Sequence, residues 1–491
     1  MNRSQDGNGF DVVAAILRKA GLQHAFGRGG EGGTRRLLDS LEKAGVEVHA
    51  AGSPAAACTM AGAAYEVTRR PGAVLAGVGD VAVIAGGGAG ALLDREAVLL
   101  FTDEYPKEVL SHHRLLDHPA VMAGSTKGSF SLSPESELAE LKQAIELALA
   151  VPAGPVHIDL PQEVRAAASV LEIEQPLPSV RPDLSQALAL LQSARRPVAL
   201  VGLEASRLGT PEMLQACLDS WRIPSFTTVK ATGVIRSGLH QGTFRSASDL
   251  DPVLEQADLI IGIGLDPVEL LPGIWSYSQP FVQLRERAPR RAVLPGEVAV
   301  GSIALMLEAL LAAGQPSGDW DGTGLQANRG RRREAALHAN PEAGQLLEWL
   351  SGLAPDACVV VESGSLAAVV SEVWPATRPR RFLSSNGLEA AGWSLPAAVG
   401  ASLALRGERV IALMSERELT IHAGELGGIA ERCPGLLIVV IGQSPAGWAR
   451  AAEALGLAAT VTTRDSIGNS MEGLLAAGRA GLLAIDSGAG W

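Results

Sequence analysis

A chain of 491 residues that is 47% hydrophobic and 19% charged can bury several cores, about three at the usual ~150 residues per domain. A net charge of −12 disfavours a nucleic-acid or acidic-membrane partner, and no apolar run approaches the ~18 residues of a membrane span. Scarce aromatics (4%) and 56 glycines suit parallel sheets with closely packed helices better than an all-β fold.

The polar start MNRSQDGNGF has no signal-peptide pattern, so a cytoplasmic protein is expected. Cys58, Cys217, Cys358 and Cys433 are scattered without a C-x-x-C, and read as buried packing residues of a reducing compartment.

Taken in order, residues 9–165 alternate helix and strand signals. Residues 11–20 are amphipathic, with Asp11 as a candidate N-cap. A short strand at 24–27 leads into GRGGEGG and a helix over 34–44. Strands are predicted at 46–50, 72–76, 97–101 and 156–160, with a small-residue helix over 54–69. Residues 166–183 break the pattern and read as a linker. A second α/β segment covers 184–312, with strands at 197–201 and 259–262. A Gly- and Arg-rich connector is expected over 313–340, its basic run Arg329–Arg333 forming a solvated face. The third segment, 341–488, has strands at 358–361, 410–414, 436–441 and 482–485.

Within that segment, 409–443 reads as strand–helix–strand. A βαβ unit sets the two strand ends side by side at the carboxyl edge of a parallel sheet, where ligands bind. That edge carries Ser415, Glu416 and Arg417 after one strand, and Gly442, Gln443 and Ser444 after the next.

Longer motifs carry a family resemblance. GPVHIDLPQEV (154–164), the run RRPVALVG…IPSFTTVKATGVI…ADLIIGIG, NGLEAAGWSLPAAVGASLAL (386–405) and the ungapped segment 71–106 are similar to the thiamine-diphosphate (ThDP) enzymes of the acetolactate-synthase type. The resemblance spans nearly the whole chain. It implies an α/β fold of three doubly wound parallel-sheet domains: pyrimidine-binding-like at 9–165, middle at 184–312 and diphosphate-binding-like at 341–488. It also implies sites shared between chains, hence a homodimer or homotetramer.

The cofactor motifs depart from that family. Its activating Glu falls on Pro54, a residue suited to starting a helix and unable to exchange a proton. The loop receiving the pyrimidine becomes 79–84, where Gly79 remains, Asp80 is an added carboxylate and the usual Asn is Ile84. The metal motif becomes Ser415-Glu416-Arg417, and its amide ligand falls on Gln443, 27 residues after Glu416. Glu416 and Gln443 keep oxygen chemistry on longer side chains, while Arg417 brings bulk and charge to the metal position. The segment that closes over the family's site is missing after Gln443. Ala391 stands where a bulky residue props the cofactor, and Glu389 lies in the turn before it.

Of the remaining polar residues, His112, His113 and Arg114 sit where the family places active-site groups. Lys127 matches a family lysine. His113, Arg114 and Lys127 are therefore the catalytic candidates, against a plain solvated-loop reading. His157 reads as a hydrogen-bonded core residue, and His422 lies near the site.

These departures imply that the usual ThDP/Mg²⁺ pair is lost or its site rebuilt, with ThDP and Mg²⁺ binding kept as an alternative and flavin in the middle domain left open. Three functions follow: a divergent enzyme on 2-oxo acids or related anions, a non-catalytic or regulatory partner of an active ThDP subunit, or a ThDP carboligase or decarboxylase working without the usual Glu. A dinucleotide reading of Gly86–Ala91 with Asp103 also fits a G-x-G-x-x-A pattern.

Overall fold

The computed structural model describes the chain apart from residues 1–8, 106–114, 133–136, 165–181, 209–210, 247–249, 290–292, 315–317, 387–390, 464–465 and 488–491. Its strands form three six-stranded sheets, each pairing parallel. The first holds β1 (His24–Gly27), β2 (Glu47–His49), β3 (Gly72–Ala76), β4 (Val98–Asp103), β5 (Ser129–Ser131) and β6 (Val156–Leu160), in the order 2-1-3-4-6-5. The second holds β7 (Pro197–Val201), β8 (Ser225–Thr227), β9 (His240–Thr243), β10 (Leu259–Ile263), β11 (Phe281–Arg285) and β12 (Glu297–Val300). It runs 9-8-7-10-11-12, the doubly wound order of dinucleotide folds. The third holds β13 (Cys358–Val361), β14 (Phe382–Leu383), β15 (Val410–Ser415), β16 (Leu436–Gly442), β17 (Ala458–Thr462) and β18 (Gly481–Asp486). Its order, 14-13-15-16-18-17, repeats the first sheet's.

Strands such as VIALM and LLIVVI in β15 and β16 are buried throughout because helices cover both faces of the sheet. Each sheet reverses its winding between β1 and β3, β7 and β10, and β13 and β15 respectively. Those reversals leave crevices at the carboxyl edges.

The first and third sheets share one core through two Ala-rich helices, Pro54–Thr68 and Ser394–Ala404. Their small side chains let the backbones nearly touch. A Cβ added to Gly400 would lie 2.3 Å from the Met60 carbonyl oxygen. A second seam is polar and buried. Asp94, ending the helix Val81–Leu93, accepts from Asn386 N at 2.6 Å and from Ser385 Oγ at 2.8 Å. Lys230 Nζ lies 3.2 Å from the same carboxylate. Arg95 next to it grips Asp266 through two nitrogens, at 2.7 and 3.1 Å. One turn of the first domain therefore fastens both others.

Most predicted strands stand within two residues of their expected ends, and the four cysteines are free and buried. The expected connector at 313–340 is corrected: Gly322–Ala339 is an 18-residue helix capped by Asp321. Its basic run is not simply solvated. Arg332 pairs with Asp251 at 2.8 Å and with Glu372, bridging the second and third domains, and Arg333 donates to the Val373 carbonyl. Four arginines and three glycines in the helical stretch disguised its periodicity, and tertiary partners decided it. Asp11 is likewise corrected from N-cap to the third residue of the helix Gly9–Lys19, where it accepts from Ser40 Oγ at 2.6 Å. The expected linker at 166–183 lies almost wholly outside the described residues.

Replacing Gly400 with alanine should lower the unfolding free energy by about 1–3 kcal/mol, because helix backbone must move to admit the methyl. Gly330→Ala, in an open helical position with nothing within 4 Å, should instead raise it by about 0.5–1 kcal/mol. Urea midpoints of the two variants check both signs.

Candidate functional site

The crevice between β13 and β15 opens into a cavity of about 220 Å³, lined by Glu362, Gly364, Ala391, Trp393, Arg417 and Glu418 among others. Backbone amides converge on this edge, as they do at any carboxyl edge where loops enter helices. Here each set is claimed by a side chain of the chain itself. Glu362, after β13, accepts from Ser415 N at 3.0 Å and Ser415 Oγ at 2.8 Å. Glu418 accepts from Gly392 N at 2.7 Å, and from Ser394 N and Ser394 Oγ at 2.9 Å. It thereby caps the helix Ser394–Ala404 with a carboxylate. Glu416 accepts from Ser444 N at 3.1 Å, with its stem lying against Gly442, where an added Cβ would be 2.1 Å from Glu416 Cγ. Burial pushes the Glu362 carboxyl above its usual range.

Glu416 is turned to the Ser444 amide, and Gln443 is exposed. Arg417 is exposed at the cavity mouth and is the cation among the lining residues. Ser415 is the N-cap of a short helix, Glu416–Ile421, and its hydroxyl accepts from Glu418 N. Ala391 and Trp393 form a wall shared with a second cavity of about 240 Å³ that includes Cys58, Thr59, Asp94 and His422. Burial lowers the His422 pKa, and its ring packs on Gly392, whose φ of +91° leaves room for no side chain.

Pro54 begins the helix Pro54–Thr68 as expected, behind Ser53, whose hydroxyl accepts from Ala56 N. The expected loop 79–84 is corrected: Val78–Asp80 is a 3₁₀ turn and the helix Val81–Leu93 follows at once. Asp80 accepts from Gly77 N at 2.9 Å and closes that turn. Gly79 is exposed with open space around it. The dinucleotide pattern Gly86–Ala91 lies inside the same helix, not in a strand-to-helix turn, so its glycines cradle nothing. Its partner Asp103 is engaged elsewhere, accepting from Thr34 N at 2.7 Å and Gly32 N at 3.3 Å.

Lys127 Nζ donates to the carbonyls of Leu147, Ala150 and Pro152, closing the end of the helix Glu137–Leu149 rather than facing the crevice. His113, Arg114 and Glu389 lie outside the described residues. His157 is a core residue bonded to Thr102 and Ser129. Glu362 escaped the sequence reading, and Glu418 was weighed there only as a surface ion-pair partner of Arg417. Ser415-x-x-Glu418 is a capping-box pattern, so the helix start was legible. The destination of Glu418, in a loop 26 residues earlier, was not.

The middle sheet repeats the arrangement. Glu269 accepts from Leu203 N at 2.8 Å and Asp266 N at 3.1 Å, and from the Thr228 hydroxyl. Glu204 pairs with Arg285 at 3.2 Å. At the β7/β10 reversal the amides of Leu203 and Asp266 are thus engaged. Burial pushes the Glu269 carboxyl up to about 8, against hydrogen bonds that favour its charged form.

Glu269 therefore contributes stability below the ordinary carboxylate value near 4.5, and the contribution is lost as pH rises through about 8. The stability of the parent relative to Glu269→Gln should fall by about 1.4 kcal/mol per pH unit across that window. Urea titrations at four pH values check this, and parallel curves would refute it. Removing Glu418 as Glu418→Ala should cost about 1–3 kcal/mol, since two buried amides lose their acceptor. Glu418→Gln, which keeps a carbonyl, should cost less in the same assay.

The comparisons with known proteins agree with this architecture. Three domain models match: the thiamine pyrophosphate enzyme N-terminal TPP binding domain over residues 7–122, the central domain over 184–288 and the C-terminal TPP binding domain over 362–477. The acetolactate synthase of Bacillus subtilis is 26% identical over 85% of this chain and 78% of its own. The acetolactate synthase isozyme 2 large subunit of Escherichia coli is 26% identical over 90% of this chain and 84% of its own. A Mycobacterium smegmatis structure assigned to the thiamin diphosphate-dependent enzymes superposes with a TM-score of 0.81 at 19% identity, covering 98% of this chain and 99% of that one. No helix among the described residues is long and apolar enough to cross a membrane. With three domains matched in order and full-length relatives of one kind, the chain belongs to the thiamine-diphosphate enzyme family, of the acetolactate-synthase type.

Proposed function

We propose that this chain keeps the acetolactate-synthase architecture while its ThDP/Mg²⁺ site has been rebuilt, and that it serves as a non-catalytic or regulatory partner rather than as an ordinary ThDP catalyst. One observation carries the reading. The amides of Ser415, Ser444, Gly392 and Ser394, which would receive a diphosphate, already hold the carboxylates of Glu362, Glu416 and Glu418. A diphosphate entering the cavity meets like charge at short range, and like charges in a partly buried site are costly. Mg²⁺ needs near-octahedral oxygens, and Glu416, one of the two oxygen groups at the metal positions, already accepts from the Ser444 amide. The residues present do not fit the cofactor pair. Pro54 at the activating position supports the same reading.

Assembly with itself as a homodimer or homotetramer, or with a catalytic large subunit, follows from the family's habit of building sites between chains. A second reading is supported by Arg417 at the cavity mouth: a 2-oxo acid or related anion held by its guanidinium, beside His422.

Calorimetric titration of the full chain with ThDP, with and without Mg²⁺, tests the proposal. No Mg²⁺-dependent binding is expected. Micromolar, Mg²⁺-dependent binding would overturn it in favour of a ThDP enzyme working without the usual Glu. Binding of pyruvate that disappears in Arg417→Gly would favour the second reading.

A further inference from the structure

Outside the cleft, two groups of side chains among the described residues each bring three metal-ligating atoms within reach of one another. In the first, His118, His157 and Asp159, hydrogen bonds account for the arrangement. Asp159 Oδ1 takes His118 Nδ1 at 2.8 Å and the Thr102 hydroxyl, while His157 bonds Thr102 and Ser129. Thr102 thus already occupies the ligand atoms of His157 and Asp159.

The second group has one internal hydrogen bond, between its two imidazoles, which an ion would replace. β1 and β2 pair in parallel with His24 opposite Glu47 and Phe26 opposite His49. Side chains two apart on a strand share a face, so Glu47 and His49 project to one side of β2, and His24 joins them from β1. His24 Nδ1 lies 3.2 Å from His49 Nε2, and Glu47 Oε2 is 3.8 Å from each. The point equidistant from three atoms so spaced lies about 2.1 Å from every one of them, within the range of Zn–N and Zn–O bonds.

We propose that His24, Glu47 and His49 form a binding site for a divalent transition-metal ion of the zinc type, unrelated to the diphosphate crevice. Two imidazoles and a carboxylate favour Zn²⁺, Ni²⁺ or Cu²⁺ over Mg²⁺, which wants oxygens alone. The imidazole side chains are 5% and 11% exposed and the carboxylate 40%, so the site is walled by protein yet reachable from solvent, with a fourth position for water. The second carboxylate oxygen, Glu47 Oε1, is held by Arg406 from the third domain. Such an outer partner fixes the orientation of a ligating carboxylate. The two rings face each other nitrogen to nitrogen, with 24° between planes, so loading requires each to turn about its broad terminal torsion and shifts the ligand distances accordingly. Burial, chiefly, keeps both imidazoles neutral, the state in which the lone pair is free. Arg406, Arg70 and Arg432 lie near the imidazoles and oppose a cation there. A bound ion would tie edge strand β2 to β1 and, through Glu47 and Arg406, to the turn following the helix Ser394–Ala404.

The full chain, stripped with chelator, is titrated with ZnCl₂ in the calorimeter and with CoCl₂ in the visible spectrophotometer. A single ion per chain is expected, with the visible band of four-coordinate Co²⁺ and a higher melting temperature. Glu47→Gln and His49→Asn should each weaken binding by about tenfold or more, while His118→Asn should not. Glu47→Gln changes a partly exposed side chain, so its metal-free circular dichroism and melting temperature should match the parent's even where His49→Asn folds poorly. No stoichiometric ion, binding unchanged in Glu47→Gln, or binding lost in His118→Asn would each overturn the assignment.

Discussion

A parallel sheet gathers unpaired backbone amides at its carboxyl edge, and every buried amide there must find an acceptor. In a cofactor-binding fold a bound anion fills part of that need. In this chain side-chain carboxylates fill it at all three winding reversals. Asp103 serves the loop before Thr34, Glu269 the middle domain, and Glu362 and Glu418 the third. The shape of the site follows. What remains between β13 and β15 is a small acidic cavity with one arginine at its mouth.

The same economy holds the domains together. Asp94 has no exposed surface to speak of, and its oxygens are divided among Asn386, Ser385 and Lys230. Losing any one partner would leave charge in a dry seam, which costs far more than a surface pair gains. Because Asn386 leads into the turn before Gly392, the seam and the Glu418 cap share one short stretch of chain. Gly400 acts in parallel by bringing two helix backbones into contact. Domain placement and site geometry are therefore coupled through a few fixed contacts.

How much was legible differs by residue. Pro54 read correctly as a helix start because proline's fixed φ and missing N–H act locally. β15 and β16 read correctly because a run of five or more apolar residues bounded by polar turns needs no partner to be recognised. The helix Gly322–Ala339 was missed because its support comes from Asp251 and Glu372, far away in sequence. Lys127 matched a family lysine by spacing, yet spacing could not say that its ammonium turns to three carbonyls at a helix end.

By itself the sequence determined the fold class, the three repeated α/β segments, and the identity of the residues standing at each motif position. Hydrophobic periodicity, turn residues and motif spacing are properties of neighbours along the chain. Only the tertiary structure decided where side-chain charges go: Glu418 to the amides of Gly392 and Ser394, Glu269 to Leu203, Glu47 between two histidines and Arg406. An acceptor's partner is chosen by proximity in space and by the cost of leaving a buried donor unmet, and neither is written in linear order.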